Sequence, residues 1–106
     1  MIMANAEHLE ILKSGVKHWN DYRSSNNLFI ADLSFADLKN LDLSGANLTH
    51  ANFYYTDLLG TILNHANLSF SVFENTILSK CQLLDAYFFR SIFSEAQLIE
   101  IGRAHV

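Results

Sequence analysis

A leucine or phenylalanine stands at every fifth position from residue 33 to residue 98: Leu33, Leu38, Leu43, Leu48, Phe53, Leu58, Leu63, Leu68, Phe73, Leu78, Leu83, Phe88, Phe93 and Leu98. The position two before each is small in thirteen of the fourteen units, from Ala31 and Ala36 through Thr56, Ser71 and Cys81 to Ala96, with Leu41 the exception. A step of five turns about 140° around an α-helix, so these groups would wind around the cylinder instead of forming a stripe. Along a flat strand an odd step sends successive members to opposite faces. All fourteen share one interior only if the chain bends between units, each unit forming one side of a coil. The pattern therefore predicts an all-β solenoid with the large and small residues inside a narrow tube, where volume is limiting, and the remaining positions facing solvent.

Phe53, Phe73 and Phe93 recur twenty residues apart and would stack in one column if four units complete a coil. Three-sided coils would scatter them. Four sides give about 3.5 coils, roughly 17 Å of rod at the spacing of stacked strands. The units ADLSF, ADLKN, LDLSG, ANLTH, ANFYY and ANLSF resemble the A(D/N)LXX signature of the pentapeptide-repeat family. The resemblance implies a right-handed quadrilateral β-helix with no shared catalytic site. It also implies an exterior that binds proteins, in some members by mimicking DNA before gyrase. The second half departs from the signature. Asp or Asn precedes the central residue through Asp57 and at Asn67, but Ile62, Val72, Ile77, Gln82, Tyr87, Ile92 and Gln97 replace it elsewhere.

The ends need covering, because a solenoid exposes apolar core and strand edges there. Residues 5–24 read as one α-helical cap. Asn5 suits the N-cap, and Leu9, Leu12, Val16 and Trp19 fall on one face, to pack against Leu28, Leu33 and Leu38. The run from Leu9 through Gly15 to Arg23 resembles the leading helices of many cyanobacterial pentapeptide proteins; a protein-binding helix is the other reading. The expected layout is a cap and linker over 1–27, the β-helix over 28–100 and a tail over 101–106. That tail is too short for a covering helix. Phe88, Phe93, Leu98 and Ile101 then lie near an open end, where two copies could associate as a homodimer or the tail could fold over by itself.

The net charge of −4 disfavours a nucleic-acid-binding surface, which needs a basic stripe. One cysteine permits no internal disulfide and suits a reducing compartment; Cys81 sits at an inward position and reads as packing. Glu7 and Glu10 stand where a signal peptide needs a basic start, and no run approaches the ~20 apolar residues of a membrane span. A cytoplasmic protein with no membrane contact is expected. His50 and His65 lie on different sides fifteen residues apart, and His8, His18 and His105 form no ligand pair, so no metal is expected. No cofactor is expected either: the four glycines form no phosphate-cradling cluster. Gly45, Gly60, Asn40 and Asn75 fall at corners suited to positive φ. A regular rod filled by its own side chains offers no concave site for catalysis, which leaves an enzyme as a remote alternative.

Two binding functions remain. Residues 31–100 carry eight acids against three bases, whereas duplex DNA presents about ten charges over ~17 Å, so DNA mimicry would be weak. The second is a protein-interaction surface. Val72 falls below Ile92, with Ile77 on the neighbouring side; Phe35, Tyr54 and Tyr55 share the side of Val72, and Phe70, Tyr87 and Phe89 share another. Such clusters mark contact sites, although β ladders also carry branched and aromatic groups as cross-strand pairs. The partner itself is not legible.

Overall fold

The computed structural model describes residues 5–26 and 30–99 and the strand Ala104–His105. Leu28, Glu100 and, in the tail, Ile101, Gly102, Arg103 and Val106 lie outside the described residues.

From Ala31 onward the chain returns to the same place every twenty residues. β1 (Ala31–Asp32) pairs in parallel with β2 (Ala51–Asn52), and single bridges continue the register: Asp37 to Asp57 to Ile77 to Gln97, Asp42 to Ile62 to Gln82, Asn47 to Asn67 to Tyr87, and Asn52 to Val72 to Ile92. Extended stretches last one or two residues because a turn follows each central residue. Three backbone bonds per unit hold the stack. The second-position N–H donates to the first-position carbonyl of the coil before (Asp57 N to Ala36 O, 3.0 Å). The third and fifth donate to the coil after (Leu38 N to Asp57 O, 2.9 Å; Phe35 N to Tyr54 O, 2.8 Å). This is a β-solenoid with α-helices at its N-terminal end.

The fifth position of every unit through Glu95 is left-handed. Gly45, Gly60, Asn40 and Asn75 have positive φ as expected, but so do Phe35, His50, Tyr55, His65, Phe70, Lys80, Asp85, Arg90 and Glu95. For these side chains the conformation costs roughly 1–2 kcal/mol each; the coil geometry imposes it, and the fifth-position ladder bond helps to offset it.

The Asp or Asn of the signature makes a local turn bond. Its Oδ1 accepts the N–H two residues on, as in Asp37 to Lys39 (3.1 Å), Asp42 to Ser44 (3.0 Å), Asn52 to Tyr54 (3.0 Å) and Asn67 to Ser69 (3.1 Å). Where the signature fails, the coil before can supply the acceptor: Leu84 N donates to Asn64 Oδ1 (3.0 Å) and Phe89 N to Ser69 Oγ (3.1 Å).

The lumen is filled by the central residues, buried without exception from Leu33 to Phe88, each contributing about 1.5–3 kcal/mol. Phe53, Phe73 and Phe93 stack with centroids 4.8 and 4.9 Å apart. The interior reading weakens at the last coil, where Phe93 is half-buried and Leu98 is 42% exposed. Among the described residues no complete coil follows to stand over them. The small polar residues do more than fit. Thr56, Thr61, Ser71, Thr76, Cys81 and Ser91 each donate to the central carbonyl of the coil before, Thr56 Oγ1 to Leu33 O at 2.6 Å and Thr61 Oγ1 to Leu38 O at 2.7 Å. Three of these carbonyls also accept a turn N–H, Leu33 O from Ala36 N (3.2 Å), Phe53 O from Thr56 N (2.9 Å) and Leu58 O from Thr61 N (3.0 Å), which uses both lone pairs. Ala31, Ala36, Leu41 and Ala46, in the first coil, have no preceding coil to reach and are all apolar.

The cap differs from the single helix expected over 5–24. It is two helices, α1 (Ala6–Lys13) and α2 (Val16–Ser25), divided at Ser14 and Gly15. Gly15, at φ 126°, cannot continue a helix. Asn5 is the N-cap of α1, accepting from His8 N at 3.1 Å. Leu12 and Trp19 are buried, and Leu9 and Val16 half-buried against the core. The break lets both helices offer groups to the first coil in place of a preceding one. Asp32 N donates to His8 Nδ1 (3.2 Å) and Asn47 N to Asn20 Oδ1 (2.8 Å). In return Asp32 O accepts from Asn5 N (3.0 Å), Asn47 O from Trp19 Nε1 (2.7 Å), Gly45 O from Asn20 Nδ2 (3.1 Å) and Thr49 O from Arg23 Nη2 (2.8 Å). At the other end β4 (Ala104–His105) pairs in parallel with β3 (Ala86–Tyr87).

Candidate interaction surface

The first coil's outer edge is occupied by the cap and the lumen by side chains, which leaves the walls. Each second-position column changes character along its length. Asp32 and Asn52 are followed by Val72 and Ile92, Asp37 and Asp57 by Ile77 and Gln97, and Asn47 and Asn67 by Tyr87. Acidic residues thus stack at most two deep in these columns. Val72 pairs with Ile92, and Ile77 lies in the adjoining column between Asp57 and Gln97. Ile92 is 52% exposed, whereas Val72 and Ile77 are half-buried.

Phe35, Tyr54 and Tyr55 form one ring cluster at a corner of the same wall. Phe35 stacks on Tyr55 at 5.3 Å, and Tyr54 meets Phe35 and Tyr55 edge-on at 5.7 and 4.6 Å. Tyr55 is half in solvent, while Tyr54 is half-buried. Desolvation, then the charges of Tyr55 and Glu74, push the Tyr54 phenol above its ordinary range. The opposite corner has its own column, His50 stacked on Phe70 at 5.0 Å, with Phe89 edge-on to Phe70 at 5.5 Å. The exposed apolar groups Leu84, Tyr87, Phe89, Ile92, Leu98 and Ile99 gather toward the C-terminal coil. Leu84 and Ile99 gave no separate signal in the sequence, since their repeat positions carry polar and apolar residues alike.

Reactive groups are quiet. Cys81 is 2% exposed and its Sγ lies 2.9 Å from Leu58 O; burial pushes the thiol up to about 12, so it stays protonated and packs. His65 faces Asp85 at 3.6 Å, and His50 is engaged with Phe70. Among the described residues no three His, Cys, Asp or Glu gather to hold a metal, and no helix is long and apolar enough to cross a membrane. The cap holds polar groups that hydrophobic patterning missed. His8 and Arg23 are buried, the latter with its guanidinium 5.9 Å from the Trp19 ring centre. Desolvation lowers the pKa of both. The sequence signals for Arg23 are its place one turn after Trp19 and its membership of the run that resembles known leading helices.

Residues 31–69 and 66–100 match the profile of the family described as Pentapeptide repeats, in eight copies. No match was found among curated proteins. With the match running over most of the chain and the twenty-residue register beneath it, the protein belongs to the pentapeptide repeat family.

Proposed function

We propose that this chain is a non-enzymatic protein-interaction module acting in the cytosol, built on a right-handed quadrilateral β-helix of about 3.5 coils. Pentapeptide repeat proteins commonly mediate protein interactions. The observation that carries the reading is the replacement of Asp and Asn by Val72, Ile77 and Ile92 on adjoining walls, beside the ring cluster of Phe35, Tyr54 and Tyr55. Those substitutions give up a turn bond that the signature residue makes elsewhere, and they set apolar groups on an outer wall, which suits a contact surface. DNA mimicry is disfavoured by second-position columns in which acids stack no more than two deep. A second contact, copy to copy at the C-terminal end, is supported by Phe93 and Leu98 opening to solvent there.

Replacing Val72, Ile77 and Ile92 together with Asp tests the wall. The variant should keep its circular dichroism and melting cooperativity but lose capture of a binding protein isolated with the wild-type chain. Undiminished capture contradicts the reading. Sedimentation equilibrium at micromolar concentration tests the second contact, with a monomer as the contrary result.

A further inference from the structure

The wall that carries Val72 and Ile92 is bounded by two corner columns of rings, and the columns end differently. In one, His50 stacks on Phe70 and the next member is Arg90, whose guanidinium lies 5.5 Å from the Phe89 ring centre. In the other, Phe35 stacks on Tyr55 with an interplanar angle of 4°, and the next members are Asn75 and Glu95. The chain thus ends one aromatic column with its own cation and the other with an amide and a carboxylate.

The second column is supplied with negative charge. Tyr55 N donates to Glu74 O at 3.0 Å, which sets Glu74 in the coil after the rings and at the repeat position of Tyr54. Glu95 follows Asn75 at the corner one coil further. Tyr55 remains 49% exposed. A planar cation at the level of Asn75 would continue the ring stack above Tyr55, with Glu74 at the neighbouring repeat position and Glu95 one coil beyond. Stacking on an aromatic face together with planar N–H donors toward carboxylates is the chemistry of guanidinium rather than ammonium.

We propose that this corner takes an arginine side chain from a segment of the partner protein, stacked over Tyr55 and donating to the carboxylates of Glu74 and Glu95. The proposal rests on the interaction-module reading and names the chemistry of one anchor within that surface.

The test is an NMR titration of the full chain, following the Tyr54 and Tyr55 ring signals. The probes are a capped Gly-Leu-Arg-Leu-Gly peptide and the same peptide with citrulline, the neutral isostere, in place of arginine. The arginine peptide should bind at least about fivefold tighter than the citrulline peptide and weaken with salt. Asn75→Arg, which lets the chain set its own guanidinium at that level, should remove that preference. So should Glu74→Gln combined with Glu95→Gln, which leaves the rings intact. Equal binding of the two peptides, or an arginine preference unchanged in both variants, overturns the proposal. Loss of partner capture in the Val72, Ile77 and Ile92 variant would then still uphold the module reading, so the two failures are distinguishable.

Discussion

Asn20 is the cap residue that most nearly stands in for a missing coil, and removing its side chain should open the first coil from its outer edge. The amide accepts from Asn47 N at 2.8 Å and donates to Gly45 O at 3.1 Å. Asn20→Ala removes both bonds. Asn20 and Asn47 are half-buried and Gly45 is exposed, so water can take over part of the role. At about 0.5–1.5 kcal/mol net per bond the loss is about 1–2 kcal/mol. Stability in a stacked repeat is close to a sum of local and nearest-neighbour terms, so the effect should be local. Hydrogen exchange at Asn47 should accelerate about tenfold or more, while Phe73 and Leu78, in the interior of the stack, should change much less. Asn20→Asp keeps the acceptor for Asn47 N–H but turns a carboxylate toward Gly45 O, so it should protect Asn47 while still lowering stability. Unchanged exchange at Asn47 in Asn20→Ala, or an equal rise throughout the chain, would refute the idea that the cap acts as a surrogate coil.

Three further outcomes are expected. Thr61→Val, which keeps the shape but takes away the hydroxyl that donates to Leu38 O, should lower the unfolding free energy by about 1–3 kcal/mol in urea titration, and Ala46→Val should show no comparable hydrogen-bond term. His8 accepts from Asp32 N only when Nδ1 is unprotonated. Burial lowers its pKa against the opposing pull of Glu7 and Asp32, with Arg23 acting in the same direction as burial. The folded state therefore binds fewer protons than the unfolded one: the contribution is complete above pH 6.5, the ordinary value, and is lost as pH falls through the lowered one. Thermal melts of His8→Gln should show a shallower slope across that window. Gly45 and Gly60 have φ of 72° and 69°, but an added Cβ meets nothing within 4 Å at Gly45 and lies 2.3 Å from Asn40 Oδ1 at Gly60. Gly45→Ala should cost about 1 kcal/mol of backbone strain, and Gly60→Ala more, by whatever it takes to move the Asn40 amide.

The coil was legible because its cause is repeated in every unit: each central side chain must enter the same lumen, so the period survives sequence drift, and the spacing of Phe53, Phe73 and Phe93 carries the stacking register. The polar parts of the interior were legible only as size. Thr56 and Thr61 signalled smallness, but their carbonyl partners lie twenty-three residues earlier and cannot be seen without the register. The cap was read as one helix because its apolar spacing runs on through Gly15, and glycine inside a helix costs only about 1 kcal/mol. What breaks it is the need for His8, Trp19, Asn20 and Arg23 to meet separate backbone groups of the first coil. The corner conformation of Phe35 and Tyr55 was equally hidden, since local preference assigns positive φ to glycine and asparagine, and here the coil overrides it. On the outer surface, Val72 and Ile92 were found as departures from a pattern, but how far each is covered depends on neighbours that only the folded wall supplies.

The most direct test of the coil is a set of backbone nuclear Overhauser contacts across residues 31–99. The account predicts interstrand contacts at an offset of twenty, joining residues 37 and 57, 57 and 77, 62 and 82, and 72 and 92. Contacts at an offset of fifteen, or helical contacts between neighbours three and four apart through the same span, would contradict it.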